Sequence, residues 1–157
     1  MPAAQFSLSF DSTLGPVRIL GTERGIGDVR FAKKITEDSV DAPVFFGDCR
    51  EQVKEYLAGG RRMFTDLPLC IRGTAFQQDV WKRAMEIPFG TTTTYGELAK
   101  DLDGTAAQAI GQALKKNPLA LIIPCHRIVP TKSIGGYAWG VWRKKWLLTH
   151  EKHCVSV

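Results

Sequence analysis

Three helix-starting motifs lie between residues 74 and 108, and they divide the chain into two unlike halves. Each has the form Thr-x-x-Gln or Thr-x-x-Glu, in which both side chains satisfy N–H groups that a helix start leaves free. The motifs predict helices over residues 76–86, 94–101 and 105–116, and apolar spacing predicts a last helix over residues 143–152. The inward face of this last helix is predicted to contain Trp146, Leu147 and His150.

The second and third of these helices are short and are joined by a turn at Asp103-Gly104. Two short helices joined through a glycine have the layout of a helix-turn-helix, which many DNA-binding proteins use. The second helix of the pair is rich in small residues, so it could approach a partner closely or simply pack on the core. The small residues are Ala106, Ala107, Ala109, Gly111 and Ala113.

The first half of the chain has the pattern of a small sheet. Residues 5–10 alternate polar and apolar side chains, which is the period of a half-buried strand. Further strands are predicted at residues 17–20 and 28–31, around a turn at residues 25–27, and a helix is predicted over residues 49–57. The sequence therefore predicts an α+β protein, with a small N-terminal antiparallel sheet in residues 1–72 and a helical helix-turn-helix domain in residues 73–157.

The charge of the chain is concentrated in its second half. Residues 1–72 carry 10 Lys and Arg against 10 Asp and Glu, whereas residues 73–157 carry 11 against 6, so the net +5 lies entirely there. A basic domain favours a polyanionic partner such as nucleic acid, although a solvated basic face is the simpler alternative. The candidate phosphate contacts are Lys115, Lys116, Arg143, Lys144 and Lys145.

Composition argues against several other classes of protein. No apolar stretch approaches the ~20 residues that span a membrane, and the N-terminus lacks the pattern of a signal peptide. The four cysteines show no Cys-x-x-Cys spacing, which favours a reducing compartment and leaves a Cys49–Cys70 disulfide open. All three histidines lie in the second half, so Cys49 and Cys70 have no further metal ligands nearby and no metal is expected.

Cys125 stands in the most unusual segment of the chain, the run Leu-Ile-Ile-Pro-Cys-His-Arg-Ile-Val-Pro over residues 121–130. Most free cysteines behave as small buried apolar residues. Here His126 and Arg127 put basic groups beside the sulfur, at the end of an apolar run that has the composition of a strand. Because nearby cations lower a thiol's pKa, the run predicts a thiolate nucleophile at Cys125.

The hexad Ile-Pro-Cys-His-Arg-Ile at residues 123–128 resembles the active-site motif of the O6-alkylguanine-DNA alkyltransferases, also called methylated-DNA–protein-cysteine methyltransferases. The resemblance covers nearly the whole chain and implies a ribonuclease-H-like first domain and a winged-helix-like second domain. Further matching segments are Phe76-Gln77, Val80-Trp81, Thr94–Ala99, Asn117-Pro118, Gly136-Tyr137, Trp146–Leu148 and His150-Glu151.

The resemblance implies direct DNA repair by a protein that acts once. A member of this family flips an alkylated guanine out of double-stranded DNA, and Cys125 would then take the alkyl group irreversibly. No cofactor is implied, because the sulfur is both nucleophile and acceptor. A monomer is expected, with no membrane partner, in the cytoplasm of a prokaryote or the nucleus of a eukaryote.

Roles for individual residues also follow from the resemblance. His126 would take the thiol proton through a water molecule, Glu151 would orient His126, and Tyr95 would donate a proton to the departing guanine. Asn117 would hold the turn that carries the active-site strand. The Cys125 carbonyl and the Ile128 backbone would accept from the guanine 2-amino group. The implied DNA contacts are Tyr95, Thr105, Ala106, Gln108, Ala109, Gly111, Lys115 and Arg127, and the implied pocket residues are Ile128, Tyr137, Ala138 and Trp139.

The chain departs from the family pattern at two positions. Gln108 occupies the slot where the family usually has an arginine that fills the space left by the flipped base; as the fourth residue of its motif, it could instead be a helix-capping residue. Trp139 matches the tryptophan of the bacterial adaptive-response methyltransferase, whereas vertebrate-type members carry small residues there. It is predicted to narrow the pocket, the alternative being an aromatic residue of the core.

Two rival functions follow from the same residues. A non-enzymatic sensor of alkylated guanine would bind the lesion without repairing it, but such proteins replace the cysteine that is present here. A cysteine hydrolase would pair Cys125 directly with His126. Neighbouring residues of a strand point to opposite faces, which makes that pair hard to build.

Overall fold

The computed structural model describes residues 5–156, and the chain divides into two compact units. The first contains the described residues up to Arg72 together with Pro118–Ala120, and the second contains Gly73–Asn117 and the residues from Leu121 onward. The predicted division at residues 72 and 73 did not anticipate that residues 118–120 belong to the first unit. The fold is α+β, as the sequence predicts, because the first unit holds a three-stranded antiparallel sheet and the second is mostly helical.

The strands of the first unit lie side by side in chain order, and a helix follows them. The elements are β1 (Phe6–Phe10), β2 (Val17–Thr22), β3 (Gly25–Phe31) and α1 (Val44–Leu57). Side chains on one face of the sheet, such as Leu8, Ile19 and Val29, are opposite one another in the register and are buried. Buried residues of the helix, including Phe46 and Tyr56, complete this core.

The predicted turn at residues 25–27 is wrong, because these residues open strand β3 and the chain turns earlier, at residues 23 and 24. The glycines are needed for close approach of another segment. The Ile26 amide donates to the Pro68 carbonyl and the Cys70 amide donates to the Ile26 carbonyl, both at 2.8 Å. A Cβ atom on Gly25 would lie 2.9 Å from the Pro68 oxygen.

Residues 118–120 pair with the same strand further along. The Val29 amide donates to the Pro118 carbonyl and the Ala120 amide donates to the Val29 carbonyl, each at 2.8 Å. The strand-like pairing with Val29 therefore ends before Leu121. At Leu121 the backbone reverses direction, with a φ of 71°. The strand predicted from the apolar run 121–123 is for this reason a turn, and these residues are buried without being in a sheet.

The second unit contains four helices, two two-residue strands and one turn of 3₁₀-helix among its described residues. The elements are α2 (Ala75–Met85), β4 (Thr93–Thr94), α3 (Tyr95–Asp101), α4 (Ala107–Lys115), the 3₁₀ turn Cys125–Arg127, β5 (Ile128–Val129) and α5 (Val141–Ser156). The two strands pair in parallel, Thr93 with Ile128 and Thr94 with Val129. Helix α4 contacts both α2 and α3. The Trp81 indole N–H donates a hydrogen bond of 2.9 Å to the carbonyl of Ala113 in α4.

Of the three predicted capping motifs, the first is complete. The Gln77 amide donates 3.1 Å to the Thr74 hydroxyl, and the Thr74 amide donates 3.0 Å to the Gln77 side chain. At the second motif the Thr94 hydroxyl accepts from the Glu97 amide at 3.1 Å. Thr74 and Thr94 are therefore the N-caps of α2 and α3, as the motifs predict, and each helix begins within one residue of its predicted start.

The third capping motif is wrong. Helix α4 begins at Ala107, two residues later than predicted, with Ala106 as its N-cap and no capping side chain. The Thr105 hydroxyl instead donates 2.6 Å to the Leu102 carbonyl and closes the preceding turn. Gln108 therefore takes no part in a capping box, and its side chain is exposed.

Helix α5 is longer than predicted at both ends, and its buried face is different. Leu147 is buried as expected, but its buried companions are Lys144 and Glu151, whereas Trp146 and His150 are half-buried and stack on each other. Two charged side chains on the inward face cannot be recognised from apolar spacing alone.

Two further expectations concern the cysteines and the membrane. Cys49 and Cys70 are not joined by a disulfide. Within residues 5–156, no helix combines the length and the apolar character needed to cross a membrane.

We expect Gly25→Ala to destabilise the protein by about 1–3 kcal/mol, because the new methyl group would be forced against the backbone of Pro68. Gly47→Ala is the matched control: this glycine lies in α1, where an added Cβ atom would have nothing within 4 Å, so it should gain about 0.5–1 kcal/mol. Urea unfolding of both variants measures the difference, and equal stabilities would contradict the close approach described above.

Candidate active site

Cys125 lies in the 3₁₀ turn between the buried run and β5, and only 7% of its surface is exposed. The Asn117 side-chain amide donates to the Cys125 sulfur at 3.1 Å and to the Ile123 carbonyl at 2.9 Å. Asn117 is itself buried, so one amide group contacts both the sulfur and the backbone of the turn that precedes it.

A cavity of about 640 Å³ opens onto the cysteine. Its walls come from the start of α3, from α4, from the 3₁₀ turn and from the loop before α5. Segments distant in the sequence thus meet around one sulfur atom. The lining residues are Tyr95, Gly111, Leu114, Lys115, Cys125, Gly136, Tyr137 and Ala138.

The Glu151 carboxylate is buried and binds three partners in the protein interior. His126 Nε2 lies 2.7 Å from Glu151 Oε2, and the Arg127 guanidinium donates to both carboxylate oxygens at 2.9 Å. The Gly90 amide is the third partner, at 3.1 Å. The predicted pairing of His126 with Glu151 is present.

Electrostatics fix the protonation of this cluster. Burial alone would raise the pKa of Glu151, but hydrogen bonds from His126 and Arg127, and their charges, hold that pKa well below its usual range. Burial lowers the pKa of His126 despite the bond to Glu151. A carboxylate can only accept hydrogen bonds, so neutral His126 carries its proton on Nε2 and has a lone pair on Nδ1. That Nδ1 is buried and has no partner among the described residues.

The resting state of Cys125 differs from the predicted thiolate. Burial raises the pKa of the thiol to about 11, against the opposing effects of the Asn117 hydrogen bond and the Lys144 charge. The basic neighbours are less effective than the sequence suggests because Arg127 is neutralised by Glu151. Cys125 is therefore a buried, protonated thiol at rest, and it becomes a nucleophile only when its proton is removed.

The prediction that Lys144 contacts phosphate is wrong. Its side chain is fully buried, and its ammonium donates to the carbonyls of Ile128 at 2.8 Å and Gly136 at 3.0 Å. Burial lowers the pKa of Lys144 to about 8, although the charge of Cys125 opposes the shift. Lys144 therefore joins β5 to the loop before α5, here called the cavity loop because Gly136, Tyr137 and Ala138 of this loop line the cavity. It also places a positive charge near the Cys125 sulfur. The signal in the sequence is its spacing from Leu147 and Glu151, which puts all three on one helix face.

The position of Arg127 does not permit the predicted contact with DNA. Besides its two bonds to Glu151, its guanidinium donates 2.8 Å to the Ile87 carbonyl, and the residue is only 7% exposed. Its donors are used inside the protein. Arg127 is a structural partner of the carboxylate.

Of the predicted pocket residues, Tyr137 and Ala138 line the cavity, whereas Ile128 and Trp139 do not. Ile128 is buried, and its carbonyl accepts from Lys144, while the Cys125 carbonyl accepts from the Ile128 amide. The Trp139 ring packs edge-on against Tyr137, with centroids 5.3 Å apart. Trp139 therefore supports a wall of the cavity from outside.

The predicted DNA-contacting residues fall into two groups. Gly111 and Lys115 line the reactive cavity, and Tyr95 lines both this cavity and a second one of about 470 Å³, which Gln108 also borders. Ala106 is exposed at the start of α4, while Thr105 and Ala109 are half-buried. Apart from Arg127, these residues lie on or beside the helix-turn-helix.

The second unit is thus a helix-turn-helix body with a buried cysteine at the end of a cavity. No group of three His, Cys, Asp or Glu side chains within residues 5–156 could hold a metal ion.

Known proteins share both units. The family model "6-O-methylguanine DNA methyltransferase, DNA binding domain" matches residues 75–153, and the model "6-O-methylguanine DNA methyltransferase, ribonuclease-like domain" matches residues 8–71. The methylated-DNA–protein-cysteine methyltransferase of Methanosarcina acetivorans is 38% identical over 152 residues, which cover 92% of this chain and 97% of the relative. The protein of the same name from Mycobacterium bovis is 37% identical over 92% of this chain and 90% of its own.

Solved structures agree with the sequence relatives. The crystal structure of Mycobacterium tuberculosis O6-methylguanine methyltransferase is similar with a TM-score of 0.84 and 36% identity, over 96% of this chain and 94% of that one. The M. tuberculosis protein OGT in complex with DNA gives a TM-score of 0.84 at 35% identity, over 94% and 93% of the two chains. The chain belongs to the O6-alkylguanine-DNA alkyltransferase family, and residues 75–153 form that family's DNA-binding domain.

Iodoacetamide should modify Cys125 slowly at neutral pH, because little thiolate is present below a pKa of about 11. The rate should rise about tenfold per pH unit with no plateau between about pH 7 and 10. Mass spectrometry of the Cys125 peptide measures it. In the urea-unfolded protein, the modification rate of Cys125 should follow the ordinary thiol pKa of about 8.5. A rate that levels off near neutral pH in the folded protein would indicate a preformed thiolate and would contradict this prediction.

Arg127→Met should lower the free energy of unfolding by about 3–5 kcal/mol, because Glu151 would remain buried without its main partner. Arg83→Met is the matched control: Arg83 and Glu86 form an exposed ion pair at 3.5 Å, and its loss should cost under about 0.5 kcal/mol. Urea unfolding measures both.

The pH dependence of the Arg127→Met effect checks its cause. The folded pKa of Glu151 is depressed, so its contribution is complete above its unfolded value of about 4.3 and is lost as the pH falls below it. The stability gap between wild type and variant should narrow in that acidic range. Weakened DNA binding without lost stability would contradict the structural role of Arg127.

Proposed function

We propose that this protein repairs O6-alkylguanine in double-stranded DNA by transferring the alkyl group irreversibly to Cys125. The observation that carries the proposal is the buried Cys125 sulfur on a cavity of about 640 Å³, with Asn117 bonded to the sulfur and the next residue, His126, bonded to Glu151. The family's name and the activity named for its relatives support the same reaction.

The reaction is a single displacement at the alkyl carbon. A carbon–sulfur bond forms to Cys125 as the bond between that carbon and guanine O6 breaks, leaving a thioether on the protein and an intact guanine in the DNA. The thiol proton leaves the sulfur and one proton reaches the guanine, so no oxidant, reductant or cofactor is consumed. Because a thioether is stable, each molecule acts once.

Proton removal falls to His126, acting through a bridging water molecule. Its Nδ1 carries the free lone pair, and its lowered pKa keeps it neutral and able to accept a proton. Glu151 fixes the ring and stabilises the imidazolium that forms, which is the logic of a nucleophile, base and orienting carboxylate. Lys144 adds a positive charge that favours the developing thiolate.

Tyr95 is the proposed proton donor to the departing guanine oxygen. It lines the same cavity as Cys125, and burial, with the charge of Cys125, raises its pKa, so the phenol keeps its proton. The Cys125 carbonyl is proposed to accept from the guanine 2-amino group, since a carbonyl can accept two hydrogen bonds. We do not extend this role to the Ile128 backbone, because Ile128 does not line the cavity.

Helix α4 is the proposed DNA-contacting helix, entering the minor groove with its small residues. Gln108 has no capping role and is exposed beside the second cavity that Tyr95 lines, which supports the proposal that it fills the space of the flipped base. Lys115, which lines the cavity that contains Cys125, is proposed to contact phosphate. Trp139, packed on Tyr137, is proposed to limit the size of the alkyl group by keeping that wall rigid.

We further propose that the protein acts as a monomer, in the cytoplasm of a prokaryotic cell or the nucleus of a eukaryotic one. A protein that acts on chromosomal DNA works where that DNA lies. The rival function is a lesion sensor, which would bind alkylated DNA and leave it unchanged.

Incubation with duplex DNA containing O6-methylguanine should add one methyl group to the protein, located on the Cys125 peptide, and restore guanine in the DNA. Cys125→Ser should bind the same DNA without detectable transfer, because serine keeps the shape but loses the thiol. Intact-protein mass spectrometry measures the transfer, and Cys70→Ser is the matched control that should transfer fully. Unchanged mass with retained binding would identify a sensor, and transfer by the serine variant would exclude Cys125 as the acceptor.

A further inference from the structure

Trp142, in the first turn of α5, is 55% exposed although tryptophan is usually largely buried. The mechanism above does not use it. It belongs to a small surface, here called the α5 patch, made of Val141, Trp142, Arg143 and Lys145. Val141 is also 40% exposed, and Lys145 is exposed.

The indole of Trp142 is held in place on one side. The Arg143 guanidinium carbon lies 4.4 Å from the centre of the Trp142 ring, and Arg143 Nη1 donates 2.7 Å to the Trp139 carbonyl. A Cβ atom on Gly140 would lie 3.2 Å from the indole, and Gly140 has a φ of +98° that other residues rarely adopt. The aromatic ring and the cation are therefore ordered together.

The α5 patch continues outward from the reactive cavity. Tyr137 lines the cavity and packs against Trp139, and Trp139 is bonded through its carbonyl to Arg143, which covers Trp142. An occupant of the patch would consequently lie near any DNA that presents a base to Cys125.

The charge of the α5 patch indicates what that occupant is. The first turn of α5 has no acidic residue, although acidic side chains are the ones that stabilise a helix N-terminus. Arg143 and Lys145 add positive charge where the helix already attracts anions, so local stability does not explain them. A flat apolar ring beside cations is complementary to a nucleotide, whose base stacks and whose phosphate is anionic.

We propose that the α5 patch binds an unstacked nucleotide of the DNA, with the base stacked on Trp142 and the phosphate near Arg143 and Lys145. The proposal requires that DNA is the partner but does not depend on alkyl transfer. An unstacked base occurs in single-stranded DNA and where a duplex is locally opened, so the contact would favour such DNA over a fully paired duplex.

Trp142→Ala should weaken binding to a single-stranded oligonucleotide by about fivefold to a hundredfold, the effect of losing one stacked base, and should weaken binding to a fully paired duplex less. Trp142→Phe should retain most of the affinity because it keeps a ring. Val155→Ala is the matched control, since Val155 is exposed at the other end of α5. Fluorescence anisotropy of labelled DNA measures all four proteins.

Photocrosslinking to an oligonucleotide containing 5-iodouracil should place the crosslink on Trp142 when the peptide is sequenced by mass spectrometry. Unchanged affinity in Trp142→Ala, or equal losses for single-stranded and duplex DNA, would overturn the proposal. If Trp142→Ala changed self-association of the protein instead of DNA affinity, the α5 patch would be a protein interface, and the proposal of a nucleotide contact would be overturned.

The transfer reaction separates this proposal from the proposed function. Methyl transfer to Cys125 from the free base O6-methylguanine needs no DNA, so Trp142→Ala should react with it at the wild-type rate. If wild type transfers nothing but the DNA affinities change as expected, the repair function fails and the α5 patch stands.

Discussion

One buried carboxylate, that of Glu151, organises the reactive part of the second unit. It accepts from His126, Arg127 and the Gly90 amide, so it ties the 3₁₀ turn and the loop after α2 to helix α5. Because each donor would be costly to bury without a partner, the carboxylate determines where these segments lie. The tautomer of His126 follows from the same bonds, since a carboxylate can only accept.

The site combines deep burial with a reaction that needs a charged nucleophile. Burial disfavours the thiolate of Cys125 by raising its pKa, and the Asn117 amide and the Lys144 ammonium oppose that effect without overcoming it. The protein therefore keeps a protonated thiol at rest, and the next residue in the chain, His126, is neutral, as the proposed base must be. For a residue proposed to react irreversibly, a protonated resting state also limits reaction with unrelated electrophiles, because the thiol is much less nucleophilic than the thiolate.

The inward face of α5 shows why a polar residue can serve the core. Lys144 and Glu151 are both buried, yet each is bonded: Lys144 to two backbone carbonyls and Glu151 to its three donors. Neither stabilises the protein by apolar burial. They fix the cavity loop and the 3₁₀ turn in one arrangement, whereas the residues whose apolar spacing suggested an inward face, Trp146 and His150, stack at its edge.

Elements whose signals are local could be predicted from the amino-acid sequence. The complete capping box at Thr74, the half box at Thr94, the alternation of residues 5–10 and the cysteine motif at residues 123–128 depend only on neighbours in the chain. They were enough to predict the α+β class, the starts of two helices and the candidate nucleophile.

Features that depend on a distant partner emerged only when the chain was folded. The glycines of β3 pack against residues 68–70, the apolar run turns because residues 118–120 take the pairing with Val29, and Arg127 and Lys144 are bonded internally. Charge and apolarity do not reveal which atoms will share a bond once the chain is folded, so the roles of these residues could be read only from their contacts.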